Sequence, residues 1–475
     1  MDLVTGNKNE LIQVSYRDKE QKIKRILNLI DDKYIRTINT NNIIDSPIQY
    51  ILSNLDPHSS HIPQKDATKT ENQFKGRFIG IGIKYQLIDD TIFITRVLDS
   101  SPNKNVLLAK NRIVVIKKDA SEIKDPQQIK NQLKDQTKGE LSLVITRKNN
   151  KKTFSISIKK QAFSLQSIES TYILNDDLEY IKLNHFGDHA FEKFQQALKK
   201  LQSLGMNKLI FDLRYNPEGR VDISRNIVDE FLEENQLIVF TRQRNRPNQY
   251  YYSTSQDHFK KSSLSLYVLL NERSASANEI VSGALQDNDR RTIVGQPSFE
   301  KELIQQEINL NNGSLVQMNV NQYITNVVHS IQKNYDSKDN ESEARPEIFS
   351  SENIEFSDAL KFITSNGEII LGGGGITPYI LISTETTQTK GFFDDAMTSD
   401  FLNDLALNYI DAHQSKLNQY TAQGVINHFD AKPIINKTLF HFKNDKNFTH
   451  ADQETLAIFL KELMAHQLFG LETFY

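Results

Sequence analysis

Apolar residues repeat with different periods in different stretches of the chain, and each period predicts a different kind of element. From Gln21 to Ile62 they fall at helical spacing, with Ile23, Ile26, Leu27 and Ile30 in one segment and Ile43, Ile44, Ile48, Ile51 and Leu52 in the next, which predicts a helical N-terminal element. That element ends at Asn54-Leu-Asp-Pro-His-Ser-Ser-His-Ile-Pro63, where two prolines and the Asx residues force a loop. From Phe78 the pattern shortens to strands, Ile79–Ile83, Thr91–Thr95, Ile113–Ile116 and Leu141–Ile145, with one helix over Pro126–Leu133, so a β-rich domain is expected here.

Beyond Ser164 strands alternate with helices. Glu179–Leu183, Lys208–Leu213, Leu237–Phe240, Leu264–Leu270 and Arg291–Gly295 read as strands, whereas Ala190–Leu204, Ile223–Leu232 and the Ala-rich stretch carrying Ile280, Val281, Ala284 and Leu285 read as helices. This order predicts an α/β core with a mostly parallel sheet, whose ligands bind outside the carboxyl ends of its strands. Three such ends are Asp212–Gly219, Asn271–Ser276 and Gly295–Lys301. The tail from Phe392 to Tyr475 is helical again, with apolar faces at Phe401, Leu402, Leu405, Leu407 and Ile410 and at Leu456, Ile458, Phe459, Leu460, Leu463 and Met464. Those faces require burial, against the core or in self-association to a homo-oligomer.

The fold class expected is therefore α/β multidomain, with an N-terminal helical region at 1–70, a β-rich domain at 71–162, an α/β core at 163–390 and a helical region at 391–475. A length of 475 residues exceeds the roughly 250–300 at which a single core stops growing. Residues 334–345, charged and polar, read as a mobile insertion in the α/β core. A formal charge of −3 gives no general attraction to nucleic acid or to membranes, and Arg242-Gln-Arg-Asn-Arg246 reads as a solvated loop. The sequence has no cysteine, which excludes disulfides, thiol catalysis and cysteine metal sites. No run of 18 or more apolar residues occurs, and the first ten residues lack the basic and apolar regions of a signal peptide. His58 and His61 read as surface loop residues and His185 and His189 as capping or surface polar groups, none having a further ligand at metal spacing. Leu371-Gly-Gly-Gly-Gly-Ile-Thr-Pro-Tyr-Ile380 is followed by no Lys-Ser/Thr and reads as no phosphate cradle. No metal and no cofactor is expected.

Candidate chemistry concentrates at the turn after Leu270. Ser276 stands where a buried strand meets a helix, and the first N–H groups of a helix lack internal partners and carry partial positive charge, so they face any oxyanion formed there. A serine nucleophile needs a base; Lys301 lies 25 residues on, and a buried neutral amine can serve. Gln305, four residues later, falls on the same side of the chain and can orient that amine. Ser276-Ala-Asn-Glu279 also fits a capping box, in which the serine only caps the helix. On spacing alone both readings stand.

The run Arg273-Ser-Ala-Ser-Ala-Asn-Glu-Ile280, followed by Ser298-Phe-Glu-Lys-Glu-Leu-Ile-Gln305, resembles the C-terminal processing (tail-specific) serine peptidases, whose pattern is S-A-S-A-S-E-I and then F-G-K-G-x-x-Q. The resemblance runs from about residue 20 to the end of the chain. It implies Ser276 as nucleophile, Lys301 as base and Gln305 as its partner. Asp212-Leu-Arg-Tyr-Asn-Pro-Glu-Gly219 matches the family's D-L-R-x-N-P-G-G loop, which implies an oxyanion hole from the backbone of Ala277 and of Glu218 and Gly219. The β-rich domain is then PDZ-like, and Phe78-Ile-Gly-Ile-Gly82 (Phe78, Ile79, Gly80, Ile81, Gly82) is its loop for a peptide's terminal carboxylate.

Several family glycines are replaced. Glu218, Glu300 and Glu302 stand at three of them, and Ala109-Lys-Asn-Arg-Ile113 replaces A-G-D-R-I, so that turn is expected to be reshaped. If the lysine segment is extended, Glu300 and Glu302 point away from Lys301; if they curl back, they hold the amine protonated. Tyr379 stands where the family has an aspartate in its G-G-I-x-P-D segment. The reading that follows is a serine endopeptidase with a Ser276–Lys301 dyad that takes protein or peptide substrates by their free C-termini. Its alternative is a weakened or inactive relative that acts as a peptide-binding module. By resemblance the location is periplasmic or otherwise extracytoplasmic, any membrane anchor being absent from this sequence.

Overall fold

The structure, a computed structural model, describes residues 6–325, 361–382, 401–441 and 450–469, apart from 37, 39, 89–90, 99, 119–120, 136, 148–152, 176–177, 218, 256–258, 260–263, 365, 372–374 and 418 within them. Residues 334–345 lie outside the described residues. The chain forms two compact units, one from 1–68 with 305–320 and one from 69–304 with 321–475.

The first unit joins two helices, α1 (Gly6–Lys33) and α2 (Thr40–Ser53), to the short strand β1 (Ser60–Ile62). Its turn is organised by Asp56, whose carboxylate accepts from the His58 and Ser59 amides at 2.8 and 2.7 Å and from Ser59 Oγ at 2.8 Å. β1 pairs antiparallel with residues 315–317, and Ile62, Ala67 and Leu315 make a small core. His61 is not the surface residue its loop-like context suggests. It is buried, with Nε2 3.1 Å from Ser314 Oγ and Nδ1 3.8 Å from Asp45, because strand pairing from 253 residues away covers it.

The helix α3 (Gln64–Phe74) leads into a seven-stranded antiparallel sheet in the second unit. Its strands are β2 (Arg77–Gly80), β3 (Ile83–Ile88), β4 (Thr91–Val97), β5 (Asn111–Lys118), β6 (Ser121–Ile123), β7 (Gly139–Arg147) and β8 (Thr153–Ser164), in the order β2-β8-β7-β5-β4-β3 with β6 on β5. Ile92, Ile94, Ile113, Leu143 and Ile145 face inward against Ile129 and Leu133 of α4 (Pro126–Lys134). That helix begins on Asp125, which accepts from the Gln128 amide, with proline in its first turn, the arrangement that satisfies an orphan donor and needs no N–H of its own. β8 alternates Phe154, Ile156 and Ile158 with polar residues, a strand signal that the reading of four strands omits. Phe78–Gly82 is also less loop than expected, since Arg77–Gly80 belongs to β2. Lys110, at the replaced glycine, keeps φ +71°: the turn retains glycine's conformation at the cost of strain.

The α/β core is a six-stranded sheet of β9 (Ile168–Asn175), β10 (Leu178–Leu183), β11 (Lys208–Asp212), β14 (Ser265–Leu270), β15 (Thr292–Gly295) and β20 (Ile380–Leu381), in the order β20-β15-β14-β11-β10-β9. All its pairings are parallel except β9 with β10. The helix α5 (Ala190–Ser203) buries Ala190, Phe194, Ala197, Leu198 and Leu201, one stripe at helical spacing. Next come α6 (Val221–Asp229) and α7 (Ala277–Asp287); every residue of α7 is buried. β12 (Leu237–Gln243) pairs with β13 (Gln249–Tyr252) and with residues 321–324 of β17 (Leu315–Ile324), which follows β16 (Leu303–Asn309). A two-stranded hairpin, β18 (Lys361–Ile363) with β19 (Ile369–Leu371), precedes β20.

The tail folds as α8 (Phe401–Ala412), α9 (Gln414–Leu417), α10 (Ala422–His428), α11 (Lys432–His441) and α12 (His450–Phe469), packed on Leu402, Ala406, Ile410, Leu456, Leu460 and Met464. Among the described residues no helix is long and apolar enough to cross a membrane.

Candidate active site

Because β11, β14 and β15 run parallel, their carboxyl ends meet on one edge of the core sheet. After β14 the turn Asn271–Ser276 is held by its own polar side chains. Ser274 Oγ donates to Leu213 O at 3.0 Å and accepts from the Asn271 amide at 3.0 Å, and Asn271 Oδ1 accepts from the Tyr215 amide at 2.9 Å. The Asn278 side-chain amide donates to Ala275 O at 3.0 Å and also to Asn216 O. This scaffold fixes Ser276 at φ +57°, ψ −107°, at the start of α7 and half-buried. A left-handed φ on a residue with a side chain is strained, and such strain persists only where the surroundings over-determine it.

The loop after β11 is docked on this turn. Asp212 is buried and accepts from Arg214 Nε and Nη2 at 3.0 and 2.7 Å and from the Tyr180 hydroxyl at 2.6 Å. Burial works against its charge, but the Arg214 guanidinium holds the carboxyl below the usual range. The Ala275 amide donates to Asn216 O at 3.2 Å, so the loop and the serine turn share one backbone hydrogen bond. Gly219 forms a parallel bridge with Phe186, and a Cβ there would lie 2.4 Å from that of Phe186; the position admits only glycine. Ala277 opens α7 and is fully buried. Glu218 lies outside the described residues.

The lysine segment follows β15. Gly295 has φ +124°, and a Cβ there would meet Leu270 O at 2.1 Å. The Phe299 amide donates to Ser274 O at 3.0 Å, which brings the segment against the serine turn. Lys301 is 9% exposed and Glu302 1%. The segment is not extended through Glu300, which has φ +77°, so strict alternation does not decide where the glutamates point. Glu300→Gly is expected to raise stability by roughly 0.5–1 kcal/mol, the relief of about 1–2 kcal/mol of left-handed strain less the entropy of an added glycine. A urea midpoint no higher than the parent's would show that the strain is compensated.

Glu279 joins the two segments. Its Oε2 accepts from the Ser276 amide at 2.8 Å and the Lys301 amide at 3.0 Å, and its Oε1 from the Glu300 amide at 2.7 Å and Ser298 Oγ at 2.6 Å. The Ser276 and Lys301 amides therefore bind one oxygen atom. The Glu279 amide itself donates to Ser276 O at 2.9 Å. Burial pushes the Glu279 carboxyl up to about 7 against the pull of these donors. Ser298 in turn accepts from the Ile376 amide at 2.8 Å, which anchors the glycine-rich segment, and Gly375 at φ +74° would carry a Cβ 2.8 Å from Ser298. The Tyr323 hydroxyl donates to Lys301 O at 2.7 Å. The spacing S-x-x-E singles out Glu279 only as a capping partner, and no local pattern points to Ser298 or Tyr323, whose roles depend on contacts across the fold.

The remaining sequence candidates are placed as follows. Gln305 belongs to the first unit, where its Nε2 donates to His58 O at 2.9 Å. At the end of Phe78–Gly82, Ile81 O accepts from Ser101 Oγ at 2.8 Å and Asn103 Nδ2 at 3.2 Å, and Gly82 has φ +71°. The glycine-poor turn beginning at Ser101 thus supports that strand end through side chains. His185 is no surface group: it packs against Gly76 and Gly187, and burial lowers its pKa. His189 is exposed and makes no capping hydrogen bond. Among the described residues no group of three or more His, Asp or Glu is placed to hold a metal ion.

Comparison with known proteins agrees with the chemistry these segments suggest. The family model for peptidase family S41 matches residues 177–341. A carboxy-terminal-processing protease of Bartonella bacilliformis is 31% identical over 316 residues, 65% of this chain and 71% of that protein. The carboxy-terminal processing protease CtpB of Bacillus subtilis is 26% identical over 365 residues, 75% of this chain and 74% of its own length. Among solved structures, a photosystem II D1 C-terminal processing protease aligns with 64% of this chain and 82% of its own at 20% identity and a TM-score of 0.40. This chain belongs to peptidase family S41, the serine-type carboxy-terminal processing proteases.

Proposed function

We propose that this peptidase uses a Ser276–Lys301 dyad to cut proteins near C-termini that its PDZ-like segment recognises. The observation that carries the dyad is the shared Glu279 oxygen, which holds the backbone of both residues within the sum of two hydrogen-bond lengths. The Lys301 amine takes the proton of Ser276 Oγ, the alkoxide adds to the scissile carbonyl, and the lysine returns the proton to the leaving amine. Water then hydrolyses the acyl-enzyme. The developing oxyanion faces the Ala277 amide at the positive end of α7 and the backbone of Glu218 and Gly219. Gln305 orients the lysine amine, a role taken from the family motif. A fluorophosphonate probe should label Ser276, and labelling should disappear in Ser276→Ala and Lys301→Ala. A parent protein inert to the probe at every pH would leave the peptide-binding reading in its place.

Residues Phe78–Gly82 are the proposed carboxylate cradle, with the substrate's last residues added as a strand. The support is the strand end itself: Ile81 O and Gly82 O are both engaged by the 98–103 turn. Amidating a substrate's C-terminus should weaken its binding by about 1.5–3 kcal/mol, the worth of hydrogen bonds to a charged group. Equal titration curves for acid and amide peptides would refute carboxylate recognition. We place these substrates outside the cytoplasm, on family resemblance; recovery of the native protein solely with cytoplasmic markers would contradict it.

A further inference from the structure

The loop after β11 is rooted on one side and tied to the serine turn on the other. Asn216 Nδ2 donates to Leu183 O at 3.0 Å and Gly219 bridges to Phe186, so the loop leans on the end of β10 and the residues after it. On the serine side, Asn216 O accepts from the Ala275 amide at 3.2 Å and from the side-chain amide of Asn278. Asn278 is the second residue of α7 and fully buried, and the same side-chain amide donates to Ala275 O at 3.0 Å. One carboxamide therefore spans from the helix that carries the Ala277 amide to the loop that carries the amides of residues 218 and 219.

Stability does not account for an asparagine here. Its Oδ1 is buried and accepts from no described group, and the same holds for Asn216 Oδ1; an orphaned buried acceptor disfavours the folded state. Neither carbonyl that Asn278 reaches depends on it, since Asn216 O keeps the Ala275 amide and Ala275 O keeps the Asn278 backbone amide at 3.2 Å. The S-A-S-A-S-E-I pattern has serine at this position, and a hydroxyl, with one proton to donate, cannot serve two carbonyls at once. A side chain that strands an acceptor while bonding groups already bonded marks a functional position.

What Asn278 adds is direction. Two donors from the serine side fix the plane of the Asn216–Pro217 peptide, and proline holds its φ at about −65°, so the chain has little freedom before the amides of residues 218 and 219. We infer that Asn278 is a positioning residue that sets the separation between the two halves of the oxyanion hole, the Ala277 amide on α7 and the backbone of Glu218 and Gly219 on the loop. This role deepens the Ser276–Lys301 reading and rests on it. An oxyanion exists only once the serine has added to the carbonyl, so Asn278 acts on the transition state and not on substrate binding.

The test is steady-state cleavage of dye-labelled unfolded casein by the full chain. Asn278→Ser and Asn278→Ala should each lower kcat by about 10–100-fold and leave KM and the shape of the pH profile of kcat as they are. Their thermal midpoints should stay within about 3 °C of the parent's. A fall in kcat without a fall in stability is a combination that bulk support of the fold does not give. Parent-like kcat in both variants, a loss carried by KM, or midpoints that drop in step with kcat would overturn the inference alone, provided that turnover still depends on Ser276. If turnover survives Ser276→Ala, or the parent neither cleaves nor takes up the fluorophosphonate probe, the dyad itself fails and this role falls with it.

Discussion

Ser276→Ala and Lys301→Ala are each expected to abolish cleavage of an unstructured substrate, with kcat falling on the order of 10⁴-fold or more, and the double variant should be no slower than either single one. Residues that act as one unit lose the whole effect with the first substitution, so their losses do not add. The expectation rests on Ser276 being held in a strained backbone by its neighbours and on the Lys301 amide sharing a Glu279 oxygen with that of Ser276. Ser274→Ala separates chemistry from scaffolding. Its hydroxyl is buried and bonded to Leu213 O and the Asn271 amide, so its loss should cost about 1–3 kcal/mol of stability through an unpaired buried group, with far less effect on kcat. Wild-type turnover in either dyad variant would end the assignment.

Glu279→Gln is expected to lower kcat by about 10²-fold and to flatten the dependence of stability on pH. Four donors converge on this carboxylate. A glutamine offers one oxygen and turns an amide toward the other two donors, which shifts the Ser276 and Lys301 backbones, and displacements near 1 Å cost about that much in rate. The pH effect follows from burial. The folded carboxyl titrates at about 7 against an ordinary 4.5, so folding takes up a proton between those values. The contribution to stability is full below about 4.5 and is lost as pH rises through 7, by about 3 kcal/mol in all. Urea unfolding of the parent from pH 5 to 8 should therefore slope downward through this term, and the variant should lack it. Parallel curves, or a variant as fast as the parent at pH 8, would remove Glu279 from the positioning of the site.

Local sequence determined the alternation of strands and helices after Ser164 and the turn that carries Ser276, and its motif singled out the serine, lysine and glutamine that we propose as the catalytic set. It did so because buried parallel strands are continuous apolar runs and helix starts have their own chemistry. That Gly219 and Gly295 are glycines for lack of space was decided by the fold, which sets Phe186 Cβ and Leu270 O against them. What the tertiary structure decided were the long-range terms. Pairing of β1 with residues 315–317 buried His61 and built the first unit from two distant pieces of chain. Packing around Glu279 turned a capping glutamate into the acceptor shared by two segments 25 residues apart. Lys110 and Glu300 kept left-handed conformations that their residue types disfavour. Propensity is worth tenths of a kilocalorie per residue, and a fold whose contacts are worth more can hold a side chain where only glycine would settle by itself.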